Sequence, residues 1–357
     1  MTRPVAIVPA AGVGTRLRPH THTVPKALIN VAGRPILAHI LDGLIAEGVE
    51  RVILIVGYMG DRIREYVTKR YGSVADFVEQ EERLGLGHAV YLARERVKDG
   101  PIVIVLGDTI VHTDFSVFLS GPEIVLGVQQ VDDPRRFGIV EVEDGLVRSM
   151  VEKPEKPKSN LALVGLYYIP DSKTIFDALH EMIRAGRTTR GEYQLTDALA
   201  KILSDGARMR IHRVEGWFDC GETETLLTTN RYLLDLLSSS PAIPGVVVVH
   251  PVSIDPTAEI TQSILGPYVS VAGGVCIRNS ILRNSIVNES AEISDMLLDC
   301  SVIGEQAIVS GSFQVLNVGD SSEVILAGRP AALEVPEALP SPGAAANLPF
   351  LSRQEGA

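Results

Sequence analysis

Apolar residues in the first two-thirds of the chain fall into two patterns. Val5–Val8, Val52–Val56 and Ile102–Leu106 are short continuous runs, which read as strands buried on both faces. Between the first two runs, Ile36, Ile40, Leu41, Leu44 and Ile45 recur at helical spacing and predict a helix over 35–47. Further helices are predicted over 61–71 and 87–96, with a short strand at Phe77–Val78 between them. This alternation predicts a largely parallel sheet covered by helices. Such sheets bind ligands beyond the carboxyl ends of their strands, where the loop after Val8 and Asp108 both fall. From Glu123 to Tyr168 the pattern becomes strands and turns, at 124–128, 139–142, 146–150 and 163–169. The expected class is therefore α/β, with a doubly wound, mixed sheet. Helices are predicted over 172–185, 196–204 and 222–237, after which Ser238–Pro241 and Pro244-Gly245 mark a boundary.

Beyond residue 250 the texture changes again. Val269, Val275, Ile281, Val287 and Ile293 lie six residues apart, as do Ile254 and Ile260, with small and polar residues between. A six-residue period fits a β-helix in which each hexapeptide forms one side of a stacked coil; the alternative is a set of irregular short strands. Residues 250–326 would make about four coils of three hexapeptides. The Ala- and Pro-rich stretch 329–357 reads as a flexible tail. The expected division is 1–240, 241–328 and 329–357.

Composition narrows the class without naming the chemistry. The 357 residues are 45% apolar and 22% charged, as in ordinary globular proteins, which excludes a disordered, collagen-like or disulfide-scaffold chain. No run of about 18 apolar residues occurs, so no bilayer span is expected. Met1–Pro4 lead straight into a strand-like run rather than the apolar centre of a secretory signal. Cys220, Cys276 and Cys300 are odd in number, far apart and without a CxxC pair, so a reduced cytoplasmic protein is expected. The net charge of −11 argues against duplex nucleic acid or an anionic membrane as partner. Residues 1–41 nevertheless hold Arg3, Arg16, Arg18, Lys26 and Arg34 and no acidic residue. A basic island in an acidic chain suits a small anionic ligand.

That island contains the loop Pro9-Ala10-Ala11-Gly12-Val13-Gly14-Thr15-Arg16-Leu17-Arg18-Pro19, followed by Pro25 and Lys26. It is not a Walker A loop, because no Gly-Lys-Ser/Thr closes it. It is a poor dinucleotide fingerprint, because Leu17 stands where the third glycine belongs. Gly12 and Gly14 let backbone N–H groups approach a phosphate, and Arg16 and Lys26 supply positive charge at the same strand edge. Several other residues have ordinary readings when taken singly: Asp108 as a turn residue, Asp219 as the cap of the helix near Glu222, and Glu152–Lys153 as a surface pair. His88 is expected to be structural, and His20 and His22 to be solvated loop residues.

Together these residues resemble the sugar-1-phosphate nucleotidylyltransferases, nearest the glucose-1-phosphate thymidylyl- and uridylyltransferases. The likeness covers about residues 3–237, in family order. Its blocks are Gly12–Pro19 with Pro25-Lys26, Gln80 with Gly85–Ala89, Leu106–Asp108, Phe137-Gly138, Glu152–Pro154, Val164–Tyr167, Arg190–Glu192 with Leu195–Asp197, and Trp217–Gly221. The departure is Ala10-Ala11, where many thymidylyltransferases have Ala-Gly-Gly. The resemblance implies a Rossmann-like nucleotidyltransferase domain followed by a small left-handed β-helix. It implies Arg16, Lys26, Asp108 and Asp219 as catalytic residues, with Mg²⁺ held by Asp108 and Asp219. The nucleotide would lie on Ala10, Ala11, Gly12, Gly14, Thr15, Gln80, Gly85 and Asp108. The sugar phosphate would lie on Gly138, Glu152, Lys153, Leu163 and Arg190. The implied partners are a pyrimidine nucleoside triphosphate, a sugar 1-phosphate and further copies of the chain in a homo-oligomer.

The chemistry is consistent with those roles. In the implied reaction a sugar-phosphate oxygen attacks the α-phosphorus of a nucleoside triphosphate and pyrophosphate leaves, so the protein has little covalent work to do and must bring two anions together and stabilise the added charge. An arginine forks onto phosphate oxygens, a lysine offers a point charge, and carboxylates suit Mg²⁺. Gln80 carries the donor and acceptor needed for the edge of uracil or thymine. Three rivals remain. A dehydrogenase would need an acidic residue after the second strand, but Val56 is followed by Gly57-Tyr58. A non-catalytic subunit would be expected to lose the charged positions, which are all present. An additional acyltransferase would ordinarily need a histidine base, and His250 is the only histidine after His212.

Overall fold

The computed structural model describes residues 3–312. The tail expected over 329–357 lies outside the described residues, as do the last of the expected hexapeptides. The apolar runs form β1 (Val5–Pro9), β2 (Val52–Val56), β3 (Ala75–Glu79) and β4 (Ile102–Val105), all mutually parallel and ordered β3-β2-β1-β4. Every side chain of β2 is buried. Alternate residues serve opposite faces: Val52, Leu54 and Val56 join the cluster under α1 (Ile36–Ala46) and α2 (Gly60–Tyr71). Ile53 and Ile55 join the cluster under α3 (Leu86–Leu92), α4 (Ser172–Arg184) and α5 (Leu195–Ser204). Helices on both faces explain why these strands read as unbroken apolar runs.

The sheet continues beyond β4 as a mixed sheet. Antiparallel β9 (Leu161–Ile169) lies next, then β6 (Ile124–Gln130), β10 (Met209–Arg213), β8 (Leu146–Glu152) and β7 (Gly138–Glu143), nine strands in all. Two further strands, β5 (Thr109–His112) and β11 (Gly216–Asp219), form a separate antiparallel pair. The strand predictions did not include β5, β10 and β11. Arg210, His212 and Arg213 interrupt the apolar signal in β10, and β5 and β11 are only four residues each. The last helix of this part, α6 (Thr223–Asp235), starts after Glu222, whose backbone N–H donates to Thr225 Oγ1 at 3.2 Å. Glu222, not Asp219, is its capping residue.

From Val247 to Ser310 the strands are two or three residues long and form three four-stranded parallel sheets, each built from every third strand. The six-residue period is only partly kept. Partner residues are 17 apart in the first step of each sheet (Val252 with Val269) and again from Ile264 to Ile281, and 16 apart in the other steps (Val271 with Val287), where three hexapeptides would give 18. The spacing of six survives between Val271 and Ile277 and between Val287 and Ile293, all buried, but Ile277 to Leu282 is five. Ile281 therefore corrects the sequence reading: it faces outward, 42% exposed, and Leu282 is the inward residue.

This part packs on the sheet domain through α6. Asn230 is fully buried; its Oδ1 accepts from Ala32 N and Ser270 Oγ, both at 2.8 Å, and its Nδ2 donates to Tyr268 O at 3.3 Å. Arg62 on α2 donates to the carbonyl of Thr23 and, through Nη2, to both oxygens of Glu305 at 3.1 Å. His20 is half-buried rather than solvated, with Gly304 beside it, and burial lowers its pKa. Among the described residues, no helix is long and apolar enough to cross a membrane.

Candidate active site

The loop after β1 and the exit of β4 touch. Gly107 N donates to Pro9 O at 3.0 Å, and a Cβ on Gly107 would lie 2.8 Å from that oxygen and 3.0 Å from Ala10 Cβ. Only glycine allows this approach, which carries Asp108 to the edge of the loop. The β5–β11 ladder brings in the second acid. Thr109, next to Asp108, pairs with Asp219, and Cys220 N donates to Asp108 O at 3.2 Å. Two carboxylates 111 positions apart in the chain are thus fixed by backbone hydrogen bonds.

Lys26 lies between them. Its Nζ is 2.7 Å from Asp108 Oδ2 and 3.9 Å from Asp219 Oδ1. Lys26 is only 8% exposed, held in the short turn Lys26–Leu28 after Pro25. Burial raises the Asp219 carboxyl pKa above its ordinary value, and the Asp108 charge adds to this; Lys26 works the other way. The Cys220 thiol is pushed up to about 12 by burial, so it is not a nucleophile at neutral pH.

Both carboxylates suit a divalent cation of the Mg²⁺ type, which takes one or two carboxylates and fills its remaining positions with water and phosphate oxygens. The described residues hold no group of three or more metal-ligating side chains, so Asp108 and Asp219 would need such outside oxygens. The acid pair therefore fits a cation that arrives with a phosphorylated ligand.

Arg16 is half-exposed. Its Nη1 donates to Glu222 Oε1 at 2.8 Å, and Arg136 Nη2 donates to the same oxygen at 2.8 Å. These hydrogen bonds hold the Glu222 carboxyl below its usual range. Glu222 and Arg136 were not anticipated as site residues. Glu222 reads only as a helix start, and nothing in the sequence separates Arg136 from Arg135, which binds Asp133 instead.

Toward β2 and β3 the structure gathers the expected base-side residues. Gln80, 7% exposed, follows β3; its Nε2 donates to Gly85 O at 3.2 Å and lies 3.3 Å from His88 Nδ1. Ala11 packs beside Gly57. Gly12, Gly14 and Thr15 lie on the same loop, and Thr21 Oγ1 anchors Gly14 O at 2.8 Å. On the opposite side, Gly138, Glu152 and Leu163 converge. A Cβ on Gly138 would lie 3.0 Å from Glu152 Oε2, Leu163 Cδ1 and Thr196 Oγ1 alike. Thr196 Oγ1 donates to Glu152 Oε2 at 2.7 Å, which orients the carboxylate; Thr196 falls in the Leu195–Asp197 block but carries no role in the sequence reading. Lys153 Nζ lies 3.2 Å from Glu152 Oε1, and Arg190 Nη2 donates to Lys153 O at 2.8 Å. Phe137 meets Trp217 edge to face at 4.9 Å, linking this group to the strand that carries Asp219.

Residues 5–235 match the nucleotidyl transferase family. The chain is 34% identical over 358 residues to a glucose-1-phosphate thymidylyltransferase of Streptomyces antibioticus, covering 89% of this chain and 98% of that protein. It is 34% identical over 333 residues to a low-salt glycan biosynthesis nucleotidyltransferase of Haloferax volcanii, covering 81% of this chain and 90% of that protein. A Bacillus anthracis protein assigned as a glucose-1-phosphate thymidylyltransferase, solved in complex with a sucrose, shares the fold at a TM-score of 0.57 and 27% identity. The match covers 66% of this chain and 97% of that one. A family match over more than half of the chain, and a relative one-third identical along nearly its whole length, lead to one conclusion: this chain belongs to the nucleotidyl transferase family.

Proposed function

We propose that the chain transfers a nucleotidylyl group from dTTP or UTP to a sugar 1-phosphate, with glucose 1-phosphate as first choice, releasing pyrophosphate. The observation that carries this reading is the buried Lys26 between Asp108 and Asp219, beside a loop in which nothing lies within 4 Å of a Cβ placed on Gly12. Family membership and the names of the relatives support it.

An oxygen of the sugar phosphate attacks the α-phosphorus. One P–O bond forms, the bond to the bridging oxygen breaks, and pyrophosphate leaves with that electron pair. The attacking phosphate is already ionised, so no side-chain base is required. Lys26 and Arg16 neutralise the triphosphate, and Gln80 reads the base edge. Glu152, oriented by Thr196, accepts from sugar hydroxyls, while Lys153 and Arg190 hold the sugar phosphate. Mg²⁺ bound by Asp108 and Asp219 would supply Lewis-acid charge neutralisation at the phosphates.

The test is pyrophosphate release across a grid of nucleoside triphosphates and sugar 1-phosphates. The expected maximum lies at dTTP or UTP with glucose 1-phosphate. No release from any pair would overturn the reading in favour of a non-catalytic nucleotide-sugar-binding subunit.

For the carboxyl-terminal part, from residue 241 to the end of the described residues, we propose a left-handed β-helix that assembles or regulates the oligomer instead of catalysing acyl transfer. Its three parallel sheets support the coil, and His250 is engaged with Ser240 Oγ at 2.8 Å. Light scattering of the full chain is expected to give a mass above that of one chain, and deletion of 245–357 to change it. A monomeric full chain, or an unchanged assembly with a folded remainder, would count against this role.

A further inference from the structure

Two arginines from distant segments meet on a single carboxylate oxygen. Arg16 comes from the loop after β1, Arg136 from the turn before β7, and both donate to Glu222 Oε1 at 2.8 Å. The three side chains are 55%, 53% and 41% exposed, so a soluble anion can compete for them. An oxygen held by two guanidinium groups is the arrangement that a phosphate oxygen takes. The Glu222 carboxylate thus stands where an oxyanion ligand would stand.

We propose that Arg16 and Arg136 form a two-armed clamp for the pyrophosphate end of the nucleoside triphosphate, and that Glu222 is an internal counter-ion which the triphosphate displaces. This rests on the nucleotidylyl-transfer reading. The sugar-phosphate side already has its own cations in Lys153 and Arg190, joined by the hydrogen bond from Arg190 to Lys153 O. Arg16 shares its loop region with Lys26, which faces the acid pair. The terminal phosphates also carry more charge than a monoester, enough to engage both arms. Glu222 retakes the clamp as pyrophosphate leaves, so it weakens substrate binding and eases product release. It is a positioning residue, whereas Arg16 and Arg136 touch the ligand.

The test is calorimetric titration of the full chain with inorganic pyrophosphate at fixed ionic strength. Glu222→Gln is expected to bind it about tenfold more tightly and Arg136→Gln about tenfold more weakly, with Arg136→Lys recovering part of the loss. Glucose 1-phosphate, titrated the same way, is expected to bind all variants alike. Pyrophosphate affinity of Glu222→Gln within about twofold of the parent would overturn the clamp. So would an Arg136→Gln effect confined to glucose 1-phosphate. If Arg136→Gln fails to fold, Glu222→Gln decides alone. Turnover by the parent chain is scored in parallel. Turnover with unshifted pyrophosphate binding removes the clamp only, whereas shifted binding in a chain without turnover removes the transfer reading only.

Discussion

Asp108→Asn is expected to lower turnover by about 10²–10³-fold or more while the chain stays folded. The substitution keeps the shape and an acceptor for Lys26 Nζ, now at 2.7 Å. The Asp108 side chain is 42% exposed but the Lys26 side chain only 10%, and Asp219 stays 3.9 Å from its Nζ, so the lost ion pair costs stability about 1–3 kcal/mol. What goes is half of the carboxylate pair fixed by the β5–β11 ladder. The change also removes a charge that raises the Asp219 carboxyl. Carboxylate-carbon NMR is therefore expected to show the Asp219 midpoint falling, while pyrophosphate release at saturating substrate collapses. Near-normal turnover would remove Asp108 from the mechanism.

Lys26→Met is expected to cost about as much turnover but to move Asp219 the other way. With the ammonium gone, Asp108 and Asp219 face each other without their shared cation, and the influence that lowers the Asp219 carboxyl is lost. Its folded-state value, already above the unfolded one, rises further. A raised carboxyl pKa contributes stability that is present below the unfolded value and lost as pH rises through the folded value. In Lys26→Met that loss extends to higher pH, so the variant is expected to lose most stability relative to the parent above the carboxylate range. Denaturant midpoints measured from pH 3 to pH 8 check this sign, and a deficit largest at the acid end would contradict it. The opposite movements of Asp219 in the two variants separate loss of the acid from loss of the cation.

Where one physical signal dominated, the sequence was readable. Strands β1, β2 and β4 are buried on both faces, so nothing polar interrupts them. The loop at 9–19 was legible because its glycines, arginines and prolines stand close together. The partners that complete the site were not legible, because they are set by tertiary geometry. Thr196 orients Glu152 from a helix 44 positions away, and Arg136, rather than its neighbour, reaches Glu222 across 86. The period in the carboxyl-terminal part fails at Ile281, because paired strands there lie 16 or 17 residues apart, short of the 18 that three hexapeptides need. A strict six-residue count cannot follow that drift.

Arg62 holds Thr23 with one arm and Glu305 with the other. A ribosome adding about 5–20 residues per second delivers Glu305 on the order of tens of seconds after Thr23. During that interval the segment leading to Lys26 lacks its distal brace, although every residue it contributes to the pocket has already emerged. The loop's chemistry is thus synthesised early and braced late, once Glu305 has been made.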